Sequence, residues 1–286
     1  MLARLDATAR GARFVLRMED IDPSSVTPAW RDGLLADLAW FGLAHDQLVW
    51  QSECVLAHAE LMDILAESGR LYACSCSRSL IASAGLPSQA GGWVYPGTCR
   101  QRRLRDWRSC AEHVRIYLGD LSIELADEGD APGTVGSLSQ QIGRVMGDPL
   151  LRRKDGSFSY MLAVVADDHT AGVTRIVRGR DLASSSATQA TLYQLAGWPV
   201  PSYRHHFLLL EPRGEKLAKF HGSVGVDKLQ AGYSPQALRG ILAFLAGFWD
   251  KPAQGAEWPD LSACFSWDKL RREDCVLGWN GTSLLY

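Results

Sequence analysis

Ser159-Tyr160-Met161-Leu162-Ala163-Val164-Val165-Ala166, followed by Val173-Thr174-Arg175-Ile176-Val177-Arg178, reads as a helix and then a strand with an apolar centre. A second helix is expected from Leu182 to Ala196 and a second strand over 207–210. Helices alternating with short apolar strands are the pattern of βαβ units, whose strands lie parallel. Upstream, Arg13 to Met18 supplies another strand, behind a helix over residues 2–11 that Gly11 closes. Thr27-Pro28 marks a helix start: Thr caps, and Pro fits the first turn, where its missing N–H is not needed. Ser52 opens a further helix with Val55, Leu56, Ala59, Met62 and Leu65 on one face. Asp155-Gly156 signals a tight turn. The tail from Ser234 is expected to be mainly helical, with Leu238, Ile241, Leu242 and Leu245 periodic.

Between Tyr72 and Leu150 the character changes. This stretch is rich in Cys, Gly, Ser and Arg, with strand-like pieces at 113–118 and 121–125. It reads as an insertion, which divides the chain into four parts: 1–71 and 150–225 as halves of one α/β domain, 72–149 as the insert, and 226–286 as a helical C-terminal region. A content of 47% hydrophobic and 22% charged residues fits a globular chain with a sizeable core. No apolar run approaches the ~20 residues of a membrane span, and no secretory signal opens the chain. Seven cysteines, an odd number, point to a reducing cytoplasm. A net charge of −2 gives no global attraction to nucleic acid, so an RNA partner needs a local basic patch.

Four groups of residues carry chemistry. Cys74, Cys76 and Cys99, with Tyr95, offer three thiols and a phenol to a tetrahedral metal; the alternative is three packed free cysteines. Cys54, Cys110, Cys264 and Cys275 read as packing residues. Lys216 and Lys219, in Gly214-Glu215-Lys216-Leu217-Ala218-Lys219, offer point charges to a polyphosphate; the alternative is a solvated basic loop. Glu19, Asp20 and Asp22 follow a strand end, where ligands bind in parallel α/β sheets; the alternative is turn chemistry around Asp22-Pro23. Tyr160 and Arg178 form the fourth group. Arg178 is placed for carboxylate recognition, against a surface ion pair with Asp181 or Asp167. The basic runs Arg100-Gln101-Arg102-Arg103-Leu104-Arg105 and Arg152-Arg153-Lys154 fit either RNA phosphates or solvated faces. His205 and His206 read as structural.

Taken in order, Phe14 to Pro23, Ser159 to His169, Gly172 to Asp181 and Lys216 to Lys219 resemble the catalytic domain of glutamyl-tRNA synthetases, class I enzymes with a Rossmann core. The resemblance covers about residues 1–225. The Cys74, Cys76, Tyr95, Cys99 pattern is similar to the zinc site of the subfamily acting on queuosine in tRNA(Asp). What the resemblance implies is an α/β fold with a Rossmann-like parallel sheet, an inserted zinc subdomain and a helical tail. It also implies ATP-dependent activation of L-glutamate without tRNA, with Mg2+, and transfer to queuosine at the wobble position of tRNA(Asp). By this carry-over Glu19, Tyr160 and Arg178 bind glutamate, Lys219 binds ATP, Lys216 and Lys219 are catalytic, and the cluster holds Zn2+. A monomer is expected.

The chain departs from that pattern in two places. Ala218 stands where the family's loop usually has Ser. The family's first strand and its His-containing ATP loop are absent, and the expectation is that they lie upstream of Met1. Two readings compete with the ligase: a synthetase-like protein that binds glutamate or tRNA without activating it, and a discriminating glutamyl-tRNA synthetase. The latter needs an anticodon-binding module, and none is recognised after residue 225.

Overall fold

A computed structural model of the chain describes residues 1–21, 26–88, 92–129, 136–141 (backbone only), 147–214, 225–252 and 255–286. Lys216, Lys219 and Asp22 lie outside the described residues.

The elements run α1 (Leu2–Ala9), β1 (Val15–Met18), α2 (Pro28–Phe41), β2 (Gln47–Trp50), α3 (Val55–Glu67), β3 (Leu71–Cys74), α4 (Arg78–Ser83), β4 (His113–Ile116), β5 (Ser122–Asp127) and β6 (Gly136–Gln141). They continue with β7 (Leu150–Arg152), α5 (Tyr160–Thr170), β8 (Arg175–Gly179), α6 (Ala183–Leu195), β9 (Ser202–His206), β10 (Leu209–Leu210), α7 (Val226–Gly232), α8 (Pro235–Leu245), α9 (Trp258–Cys264) and β11 (Cys275–Val276).

Local chemistry explains the helix starts. Thr27 accepts the Trp30 N–H at 3.2 Å, with Pro28 in the first turn of α2. Ser159 caps α5 through the Leu162 N–H and donates its hydroxyl to the Leu150 carbonyl at 2.6 Å. This second bond fixes the start of α5 against β7. Gly42 ends α2 at φ +75°, a left-handed conformation that an L side chain rarely adopts.

The expected parallel pairing is present. β1 and β2 run parallel, Val15 opposite Gln47 through Met18 opposite Trp50. β8, β9 and β5 also run parallel, with β6 antiparallel at the far edge. The second strand differs from expectation. It covers 202–206, and Leu209–Leu210 is a separate pairing with Cys275–Val276. Alternation in β9 buries Tyr203 and His205, so polar residues belong to this strand wherever a partner satisfies them. The tail also carries β11, paired in parallel with β10, alongside its helices.

The segment between Tyr72 and Leu150 has two destinations. β3, β4 and β7 form an antiparallel sheet, while β5 joins β9. The principal core lies between α3, α5 and α6 and these strands, with Leu61, Leu65, Val114, Ile116, Leu151, Leu162 and Leu192 buried. A second core joins α1, α8 and α9 through Leu5, Ile241, Leu245 and Leu261. Buried Arg239 bonds the carbonyls of Phe41 and Ala256, tying α2 to the C-terminal helices.

Candidate active site

A cavity of about 460 Å³ opens between β1 and β8, lined also by Ala3 and Ala7 of α1 and by Arg10 just after it. Both strands are edges of their sheets, and all five residues of β8 are partly exposed. Their partly exposed edges border this cleft, open to partners that a dry interior would deny their N–H and C=O groups. Glu19 follows the carboxyl end of β1, and Arg178 lies at the carboxyl end of β8, the ends at which α/β sheets take ligands.

Glu19, Tyr160 and Arg178, named from the sequence as one set, all line this cavity. The acidic cluster around Glu19 divides. Asp20 turns inward, accepting the Ser52 N–H at 2.8 Å, the Ser52 hydroxyl at 2.7 Å and a bond from Arg31. Glu19 stays exposed beside the cleft. Burial holds the Tyr160 phenol above its ordinary range, so it remains a neutral hydrogen-bonding group.

Arg178 is held from within. Its Nε donates to His205 Nε2 at 3.3 Å, and its Nη2 donates to Ser186 Oγ at 2.6 Å and Gln189 Oε1 at 2.8 Å. The ion pair with Asp167 weighed from the sequence does not form. Asp167 is buried and accepts from Gln51 at 2.7 Å and from His58 at 2.7 Å.

Arg17 and Asp168, not singled out in the sequence, bring further charges to the cleft, beside Asp6, Arg10, Arg13 and Arg175. Arg17 ion-pairs with Asp168 and donates to Glu19 at 3.3 Å. Burial raises the Asp168 carboxyl despite the guanidinium beside it. The signal for them was weak: Arg17 is only partly buried on β1, and Asp168 sits in the polar last turn of α5, Asp167-Asp168-His169-Thr170.

The cysteine group also assembles. Cys74, Cys76, Tyr95 and Cys99 are all buried, and the three sulfurs lie within 4.8 Å of one another. Tyr95 Oη is 3.5 Å from Cys74 Sγ and 3.7 Å from Cys76 Sγ, and it accepts the Cys99 N–H at 2.9 Å. Burial disfavours the Cys99 thiolate, but bonds from Tyr95 and the Ser75 N–H outweigh it and bring the thiol down to about 7. Burial raises Cys76. Tetrahedral zinc with bonds of ~2.3 Å separates its sulfurs by about 3.8 Å, so this donor set fits the ion. Supporting bonds surround it: Tyr72 donates to Asp148 at 2.6 Å, Arg100 pairs with Asp148, and Arg115 lies 4.1 Å over the Tyr95 ring.

The basic runs are largely engaged within the chain. Arg100 holds Asp148, Arg102 pairs with Glu112 at 2.6 Å, and Arg152 donates to the Cys110 carbonyl at 2.9 Å.

These features define a class. The family described as tRNA synthetases class I (E and Q), catalytic domain, matches residues 3–115 and 123–254. The chain belongs to that family and is an aminoacyl-tRNA synthetase-like ligase. Within it, the chain is similar to proteins named Glutamyl-Q tRNA(Asp) synthetase. That of Nitratidesulfovibrio vulgaris is 40% identical over 266 residues, covering 86% of this chain and 80% of the relative. That of Symbiobacterium thermophilum is 39% identical over 272 residues, covering 88% and 82%. That of Rhodobacter capsulatus is 35% identical over 255 residues, covering 85% and 92%.

Among solved structures, the fold is shared with a glutamate tRNA ligase from Elizabethkingia meningosepticum, in complex with its amino acid (TM-score 0.74, 22% identity). It is shared equally with the glutamate-tRNA synthetase of Elizabethkingia anophelis (TM-score 0.76, 22% identity). The alignments cover 96% and 98% of this chain but only 62% and 64% of those longer chains. No helix among the described residues is long and apolar enough to cross a membrane.

Proposed function

We propose that this chain activates L-glutamate with ATP, without tRNA, and transfers it to queuosine at the wobble position of tRNA(Asp). The observation that carries this reading is the convergence of Glu19, Tyr160 and Arg178 on one cleft. An anion, a neutral phenol and a fixed guanidinium suit the ammonium and carboxylate groups of an amino acid. The names of relatives near 40% identity direct the same reading toward glutamate and tRNA(Asp).

In the first step a glutamate carboxylate oxygen attacks the α-phosphorus of ATP. Pyrophosphate leaves with the bonding electron pair, and glutamyl adenylate forms. Lys216 and Lys219 neutralise the charge gathering on the departing pyrophosphate, with Mg2+ as the expected companion ion. In the second step a hydroxyl of the queuosine cyclopentenediol attacks the acyl carbonyl, and AMP leaves. Cys74, Cys76, Cys99 and Tyr95 would hold zinc as a structural ion, fixing the β3–β4 region that carries the Arg100–Arg105 run. The free cysteines suit a reducing cytoplasm.

The first step is tested by ATP–pyrophosphate exchange. Exchange that needs glutamate but no tRNA supports it. Exchange that appears only with tRNA, or glutamate binding with no exchange at all, contradicts it.

A further inference from the structure

We propose that Asp127, His205, Ser186 and Gln189 are positioning residues that fix the Arg178 guanidinium, with Asp127 selecting the imidazole tautomer that makes this possible. The proposal rests on the reading that Arg178 meets the substrate carboxylate.

The four residues come from three elements. Asp127 ends β5, His205 lies in β9, and Ser186 and Gln189 sit one turn apart on α6. All are buried: Asp127 is 9% exposed, His205 1%, and Ser186 and Gln189 0%. Of this group, only Arg178 lines the cleft between β1 and β8.

The hydrogen-bond directions follow from chemistry. Asp127 Oδ1 accepts two backbone N–H groups, from Gly129 at 2.8 Å and His205 at 3.1 Å. In its carboxylate form this side chain accepts only and has no proton to give. Its partner Oδ2 faces His205 Nδ1. Nδ1 must therefore carry the proton and donate. In the neutral ring Nε2 is then the lone-pair nitrogen. That lone pair faces Arg178 Nε at 3.3 Å and the Ser186 hydroxyl at 2.9 Å. The opposite tautomer would set an N–H against an N–H, and an imidazolium would add a second positive charge beside the guanidinium. Gln189 Oε1 and Ser186 Oγ take Nη2. The bonds described for Arg178 all use Nε or Nη2, so Nη1 is not engaged by this cage.

A merely structural network would lower stability and alter all kinetic constants together. A positioning network acts on glutamate. The test measures exchange kinetics, melting temperature and imidazole 15N shifts for the full chain and for His205→Gln, His205→Leu and Asp127→Asn. Wild-type His205 should show a protonated Nδ1 and a bare Nε2. Asp127→Asn, whose amide donates to Nδ1, should move the proton to Nε2. His205→Leu and Asp127→Asn should raise the glutamate KM about tenfold to a hundredfold and leave the ATP KM near its wild-type value. His205→Gln, with a carboxamide oxygen near the Nε2 position, should stay close to wild type. A protonated Nε2 in the wild-type protein overturns the proposal whatever the activity. So does a glutamate KM unchanged in folded His205→Leu, or equal shifts in both KM values that His205→Gln fails to rescue. Absence of any glutamate-dependent exchange in wild type would count against the activation reading instead, and the 15N shifts would still decide the tautomer.

Discussion

Cys76 Sγ and Cys99 Sγ lie 3.6 Å apart, within the spacing that a tetrahedral ion imposes on two thiolates. Cys74 completes a trio of sulfurs, and Tyr95 supplies a fourth donor. The purified protein is expected to carry about one equivalent of zinc by elemental analysis. Cys76→Ala should lose it and melt at a clearly lower temperature, because metal binding energy in such a site is folding energy. Cys110→Ala, outside the cluster, should retain the metal. Full zinc content in Cys76→Ala would remove the site.

Asp274 governs a second property, acid stability. It accepts from Arg180 Nε at 2.9 Å and from the Leu208 N–H at 2.8 Å, joining the end of β8 to the C-terminal strand. The Arg180 bonds hold its carboxyl below the ordinary range. A depressed carboxyl contributes stability that is present above its unfolded value of 3.8 and is lost as pH falls through the lower folded value. Asp274→Asn should cost about 1–3 kcal/mol at pH 7. The gap from wild type in denaturant melts should stay level from neutral pH down to mild acid and close below pH 3.8. A gap that persists unchanged through that range would show the carboxylate charge to be irrelevant.

Asp167 is the buried counterpart of the cleft's Asp168. Removing it leaves Gln51 and His58 without their shared acceptor in a dry interior. Asp167→Ala should destabilise the fold by about 3–5 kcal/mol, the range for breaking a buried polar pair. Chemical denaturation measures this. A loss below about 1 kcal/mol would mean that water replaces the carboxylate.

Within the cleft, Arg178→Lys keeps the charge but loses the planar fork that His205, Ser186 and Gln189 grip. The glutamate KM should rise about tenfold or more with little change in the ATP KM. Glu19→Gln should weaken glutamate through its ammonium group in the same assay. Unchanged glutamate KM values in both variants would place the amino acid elsewhere.

Much of this arrangement was legible from local pattern. Thr27-Pro28 and Ser159 start helices because their side chains satisfy backbone donors a few residues away. Three thiols and a phenol within one short segment announce their own convergence. The network behind Arg178 was not legible, because Asp127 and His205 are separated by 78 residues and meet only through the β5–β9 pairing. A clue did exist. Alternation puts Asp127 inward with Ile123 and Leu125, and His205 inward with Tyr203. A carboxylate and an imidazole on buried faces require partners, and each supplies the other's. The exchange of β5 into the parallel sheet escaped notice for the same reason, since its composition matches the neighbouring antiparallel strands. The lysine loop, Lys216 and Lys219, lies outside the described residues.

The central claim is glutamate transfer to one modified nucleoside, and the most direct measurement offers labelled glutamate and ATP with three tRNAs. The account predicts label on queuosine-containing tRNA(Asp), at its anticodon, and none on tRNA(Asp) lacking queuosine or on tRNA(Glu). Label at the 3′ end of tRNA(Glu), or equal labelling of both forms of tRNA(Asp), would contradict it.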